Sequence, residues 1–211
     1  MSALAVKVVQ GASQAAALLE PLRLRMLGEL AEPDSAAGLA KKLNLPRQKV
    51  NYHLRELEKA GLIQPVEERR KGNCVERIVR ATATSYLISP EVLGPLASDP
   101  SRVVDRLSSA YQVAVAAKMI RDLAILQHRA DKAGKKLATF TLQTDVRFVD
   151  AVARNAFTEE LSSAIVALIG KYHDEKTPGG RWFKFNVGAY PAITKDEQGN
   201  EIGPDSKGKA T

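Results

Sequence analysis

The sequence predicts a mainly helical α+β chain with a small amount of β structure, in two parts, and three observations carry that reading. Residues 20–60 repeat their apolar residues at helical spacing in three short blocks separated by breakers. Two β-like runs follow at once, Leu62–Glu68 and Val75–Thr84. Beyond a Pro-containing connection, Ser89–Ser98, come one long helical pattern and a strand, helix, strand pattern.

The elements take their limits from local chemistry. Pro21 sits at the first helical position of LRLRMLGEL, with Leu24, Leu27 and Leu30 on one side, and Glu32-Pro33-Asp34 stops that helix. Asp34 or Ser35 can cap SAAGLAKKL, whose Ala36, Leu39, Ala40 and Leu43 face inward. After the short turn Asn44-Leu45, Pro46 opens a helix running to about Ala60, and Gly61 is placed to end it in a left-handed conformation. The β-like runs are joined by RRKGN, in which Gly72-Asn73 supplies turn chemistry. Helix, short helix, tight turn, helix and basic hairpin together are a helix-turn-helix with a wing.

The second part opens on Asp99-Pro100, a cap and first-turn proline for a helix from Ser101 to about Lys132. Leu107, Tyr111, Met119, Leu123 and Leu126 lie close to one side, and the valines beside them widen the apolar surface, so this helix needs more than one neighbour. A second subunit is the usual way to supply one, and a homodimer is expected. Leu137–Gln143 alternates like a strand, a helix from about Asp150 to Tyr172 carries Phe157, Leu161, Ile165 and Leu168 on one face, and Phe183, Phe185 and Val187 alternate again. The expected organisation is residues 1–90 for DNA binding, 99–193 for dimerisation and a candidate effector site, and 194–211 as a disordered, Gly-rich tail.

Charge and composition narrow the function. Of the 211 residues, 45% are hydrophobic and 26% charged, as in ordinary soluble domains, and no apolar run approaches the ~18 residues that a membrane span needs. A cytoplasmic protein with no membrane partner is expected. The net charge is +7, and residues 41–80 hold 11 Lys+Arg against 5 Asp+Glu, so the positive charge gathers on the helix-turn-helix and points to a polyanion. Cys74 is the sole cysteine and is expected to be a small packed residue. His53, His128 and His173 lack ligand spacing, so no metal and no cofactor is expected. No nucleophile motif, phosphate-binding Gly-rich loop or cluster of His and carboxylates argues for an enzyme.

The last helix of the motif carries the sharpest signal. Val50, Leu54 and Leu57 face inward, while Arg47, Gln48, Asn51 and Tyr52 crowd its exposed N-terminal turns. A helix fits the major groove of B-DNA, where Arg pairs with guanine and Asn or Gln with adenine, each good pair being worth ~1–3 kcal/mol of discrimination. Lys49 and Arg55 beside them, Lys41 and Lys42 at the end of the preceding helix, and Arg69, Arg70 and Lys71 on the hairpin are candidates for phosphate. Tyr111, Tyr172 and Trp182 are candidate lining residues for a small-molecule effector. Two other classes of function stay open at this point: a small-molecule-binding module, and an adaptor whose winged helix binds protein or RNA.

Residues 19–63, with LEPLRLRMLGEL and then GLAKKLNLPRQKVNYHLRELEKAGLI, resemble the arsenic-repressor (ArsR-type) family of winged-helix transcription regulators. The likeness runs through Leu19, Glu20, Pro21, Arg23, Met26 and Leu27, and through His53, Leu54, Leu57, Ala60, Gly61 and Leu62. It implies a dimeric regulator of double-stranded DNA whose operator affinity changes with a signal. The Cys-x-Cys of metal-sensing members is replaced by Ser35, Ala36, Ala37 and Gly38, so the resemblance is to a member that does not sense metal.

Overall fold

The computed structural model describes residues 3–71 and 74–195, with side chains left out at Lys71 and Cys74. The chain divides into two compact units, residues 1–137 and 138–211. Gly72-Asn73, the environment of Cys74 and most of the expected tail (196–211) lie outside what is described.

In the first unit, β1 (Leu4–Val9) leads into α1 (Ala12–Leu19) and α2 (Pro21–Glu29). Glu20 caps α2 by accepting a hydrogen bond from the Arg23 amide at 2.9 Å, with Pro21 in the first turn. A two-residue strand, β2 (Asp34–Ser35), precedes α3 (Ala36–Leu43), and α4 (Arg47–Lys59) follows three residues later. Strands β3 (Ile63–Lys71), β4 (Cys74–Ala81) and β5 (Ala83–Ile88) complete the unit's β structure.

Two small sheets result. The wing is antiparallel with strand order β2-β4-β3, and its β3 edge slips register between Pro65 and Glu67, where proline has no amide hydrogen to give the ladder. The other sheet pairs β1 with β5 in parallel, Leu4 opposite Ala83 and Val9 opposite Ile88. The sequence reading had assigned no element to residues 1–19, although LAVKVV is rich in β-branched residues; the strand's partner lies far along the chain. Met26, Leu27 and Leu30 of the α2 region, Leu39 of α3, Val50, Leu54 and Leu57 of α4, and Leu62, Ile63 and Val79 of the sheet form one continuous core. Leu24, expected inward, is exposed.

The long helix starts later than its sequence signal. Asp99 and Pro100 do cap and open a helical turn, but a 3-10 turn of three residues only, Pro100–Arg102. α5 (Ser109–Lys132) begins where Ser108 accepts a hydrogen bond from the Tyr111 amide at 3.2 Å. Leu107 lies before it and is exposed. Ala114, Ala117 and Ala124 are its buried residues, and Val113, Met119 and Leu126 stay exposed.

The second unit is built around α6 (Ala151–Tyr172), capped by Asp150, whose carboxylate accepts from the Ala153 amide at 2.8 Å. The flanking segments, expected as strands, do not form them: no strand is assigned among residues 138–194. Alternation gives a segment a strand's two faces, but a strand exists only within a hydrogen-bonded ladder, and none is assigned across these segments among the described residues. None of the unit's described residues is buried. Among the described residues, no helix is long and apolar enough to cross a membrane.

Candidate nucleic-acid interface

Helix α4 is held on one side and at both ends. Val50 and Leu57 are fully buried and Leu54 nearly so, which locks the helix against α3 and the wing. Full burial of such side chains contributes ~1.5–3 kcal/mol each. The turn before α4 is set by Asn44, in the left-handed region at φ 52°, with the Leu45 amide donating back to Ala40 O at 3.0 Å. At the far end Gly61 takes φ +63° while the Leu62 amide reaches Leu57 O at 2.9 Å and the Gly61 amide reaches Glu58 O at 2.8 Å, a Schellman stop. The expected role of Gly61 is thus met in detail.

Two side chains from the N-terminal arm then take the carbonyls that the helix end exposes. Gln14 Nε2 donates to Ala60 O at 2.7 Å, and Lys7 Nζ donates to Gly61 O and, at 3.2 Å, to Thr82 Oγ1. A cation at a helix C-terminus is favourable because the carbonyls there carry partial negative charge. Burial holds the Lys7 ammonium below its usual pKa. Neither contact was legible in the sequence, where Lys7 is a lone cation in a strand-like run.

The outward side of α4 is open. Arg47, Gln48, Lys49, Tyr52 and Arg55 are exposed and Asn51 is half-buried, with Tyr52 58% accessible although it is a large aromatic. The side chains of these six make no hydrogen bond or ion pair among the described residues, so their donors remain available. Tyr52 touches only the edge of the His53 ring, at 5.2 Å between centroids. His53 is buried, with Nδ1 3.7 Å from the Glu20 carboxylate on α2, so it belongs to the packing of α4 on α2 and not to its outer face. No group of residues able to hold a metal ion occurs among those described.

Ion pairing divides the other basic candidates. Lys42 lies 3.1 Å from Asp34 and 4.0 Å from Glu29, and the Asp34 carboxylate raises its pKa. Arg69 is paired with Glu67 at 2.6 Å. Lys41, in the last turn of α3, and Arg70, on the wing, are exposed and make no such pair among the described residues. Lys71 is on the same strand, its side chain outside the description. Arg77 of β4 grips Glu58 of α4 through two hydrogen bonds, and that carboxylate raises its pKa; it ties wing to helix, a role that its sequence context did not announce.

A cavity of about 650 Å³ lies between α3 and the wing, with Asp34, Gly38, Lys41, Glu67, Arg69 and Glu76 among its lining. A Cβ at Gly38 would fall 2.0 Å from the Asp34 carboxylate, which would have to shift to admit it. The effector candidates fall in both units. Tyr111 belongs to the first unit and Tyr172 and Trp182 to the second, where both are exposed, Trp182 tilted against His173 at 5.6 Å.

A family-model match agrees with this helix arrangement. A family model described as a helix-turn-helix domain matches residues 18–66. Among solved structures, the chain is similar to a fragment, residues 1–100, of a possible transcriptional regulatory protein from Mycobacterium bovis, at 25% identity over 34% of this chain and 73% of that one, with a TM-score of 0.29. No curated protein matches. Residues 18–66, which span α2, α3, α4 and the start of the wing, are a helix-turn-helix domain.

Proposed function

We propose that this chain is a sequence-specific, DNA-binding transcription regulator of the arsenic-repressor type that does not sense metal. It acts as a homodimer on a palindromic operator with half-sites about one helical turn apart. Residues 1–90 bind DNA, and 99–193 serve dimerisation and the reception of a small-molecule signal. The observation that carries the reading is the unpaired polar front of α4, rigidly held from behind by Val50, Leu54 and Leu57. Arg47, Gln48 and Asn51 read bases, Tyr52 packs against the groove, and Lys41, Lys49, Arg55, Arg70 and Lys71 meet phosphate. Lys42 and Arg69 also reach the backbone once they exchange a carboxylate for a phosphate.

Selection of bound duplexes from a random pool tests the reading. It should return a two-fold symmetric site, and a protein with no preference for any duplex would overturn it. Arg47→Ala and Asn51→Ala should each relax preference at one position per half-site by ~1–3 kcal/mol. Unchanged selectivity in both would remove α4 as the reader.

A further inference from the structure

Residues 138–195 carry all the signs of a protein core except burial. Seventeen large apolar side chains there, from Phe140 to Ile193, are exposed, with Phe140 and Trp182 at 80% and Phe185 at 76%. The unit's own contacts are slight: Phe148 lies 5.3 Å from Phe157, and little else covers the helix. Apolar residues surround the axis of α6, with Phe157, Leu161 and Leu168 towards one side and Val152 and Val166 towards another. A helix of that kind lies inside a structure, not on its surface.

The flanking segments explain what is missing. Phe140, Leu142, Val146 and Phe148 alternate with Thr141, Gln143, Asp145 and Arg147, and Phe183, Phe185 and Val187 alternate with Lys184 and Asn186. Each segment is a strand in pattern with no strand ladder assigned to it among the described residues, and its apolar face is exposed.

We propose that residues 138–195 form their core only with a second copy of this chain. The segments around 139–148 and 181–187 of two copies pair into one shared sheet, and the two α6 helices cover it. This rests on the homodimer reading above and specifies where that dimer is welded. Size supports the choice of occupant: seventeen such residues expose on the order of 1,500 Å² of apolar surface per chain, counting 150–250 Å² for each aromatic and proportionally less for the rest. Permanent homodimers bury roughly 1,000–2,500 Å² per partner, the same scale as this exposed apolar surface. Charge agrees. Residues 138–195 hold 7 Lys+Arg against 6 Asp+Glu, so two copies do not repel, and the surface lacks the positive excess that nucleic acid would require. A two-fold contact also supplies strand and helix partners to both copies in one step.

The test uses the full chain in sedimentation equilibrium over a concentration series, with backbone hydrogen exchange measured at each concentration. The dimer should protect amides in 139–148 and 181–187, and that protection should vanish on dilution in step with dissociation. Leu142→Glu and Phe185→Glu should each weaken the dimer ~100-fold or more, since each buries an unpaired charge, while α4 amides keep their protection and so report that the first unit is folded. Leu126→Glu on α5 is the control and should weaken the dimer less. A dimer that survives both substitutions, with 138–195 exchanging freely, would overturn this proposal and leave the homodimer reading standing. A monomer would overturn both, whether these segments are protected or free.

Discussion

Helix α4 has 13 residues and buries Val50, His53, Leu54 and Leu57; helix α6 has 22 and buries none. Apolar residues gather on one face of α4 and surround α6, and the two helices also differ in what stands opposite. The face of α4 meets α3 and the wing, each separated from it by three residues. The face of α6 has no such neighbour within its own unit. An apolar stripe states that a surface will be covered; only nearby chain, or another chain, can supply the cover.

Substitutions can break or sharpen that contrast. The largest effect is expected at Leu57, fully buried in α4: Leu57→Ala should cost ~2–5 kcal/mol in chemical denaturation, independent of protein concentration. Leu168→Ala in α6, where the side chain is more than half exposed in one chain, should cost little in dilute solution and become more costly as concentration rises. Equal, concentration-independent losses at the two positions would abolish the distinction. Ser35→Ala removes the hydroxyl that accepts the Gly38 amide at 3.1 Å at the start of α3, and should lower the thermal midpoint by an amount equivalent to ~1 kcal/mol. On the DNA side, Arg70→Ala should reduce the slope of log K against log salt by ~1 without changing the preferred sequence. Smallest of all, Arg77→Ala should cost ~0–1 kcal/mol, because its pair with Glu58 is largely exposed to solvent. A greater loss there would mean that the wing depends on this tie for its angle to α4.

What could be read from the sequence followed the same division. The helix-turn-helix was legible because each of its signals is local: Pro21 at a helix start, the three residues Asn44–Pro46 as the turn, Gly61 as a left-handed stop. Asp99-Pro100 misled because the same cap and proline serve a single 3-10 turn as well as a long helix, and only packing chooses between them. β1 escaped notice because its partner β5 is remote. The strands expected at Leu137–Gln143 and around Phe183–Val187 rest on alternation alone, which fixes the faces of a segment but not its neighbour. At the candidate interface, residue types marked Arg47 and Asn51 as polar groups on the outer side of α4, but the sorting of cations into Lys42 and Arg69, which are paired, and Lys41 and Arg70, which are unpaired among the described residues, needed the fold.

The latch formed by Lys7 and Gln14 on the end of α4 also sets an order of events during synthesis. β1 leaves the ribosome before β5, yet has nothing to pair with until Ala83–Ile88 has been made. By then Pro21 to Ala81 can already have built the helix-turn-helix and its wing from contacts close in sequence. β1 can therefore dock only after β5 has been made, and the end of α4 gains the Lys7 hydrogen bond at Gly61 O only when that strand pairs.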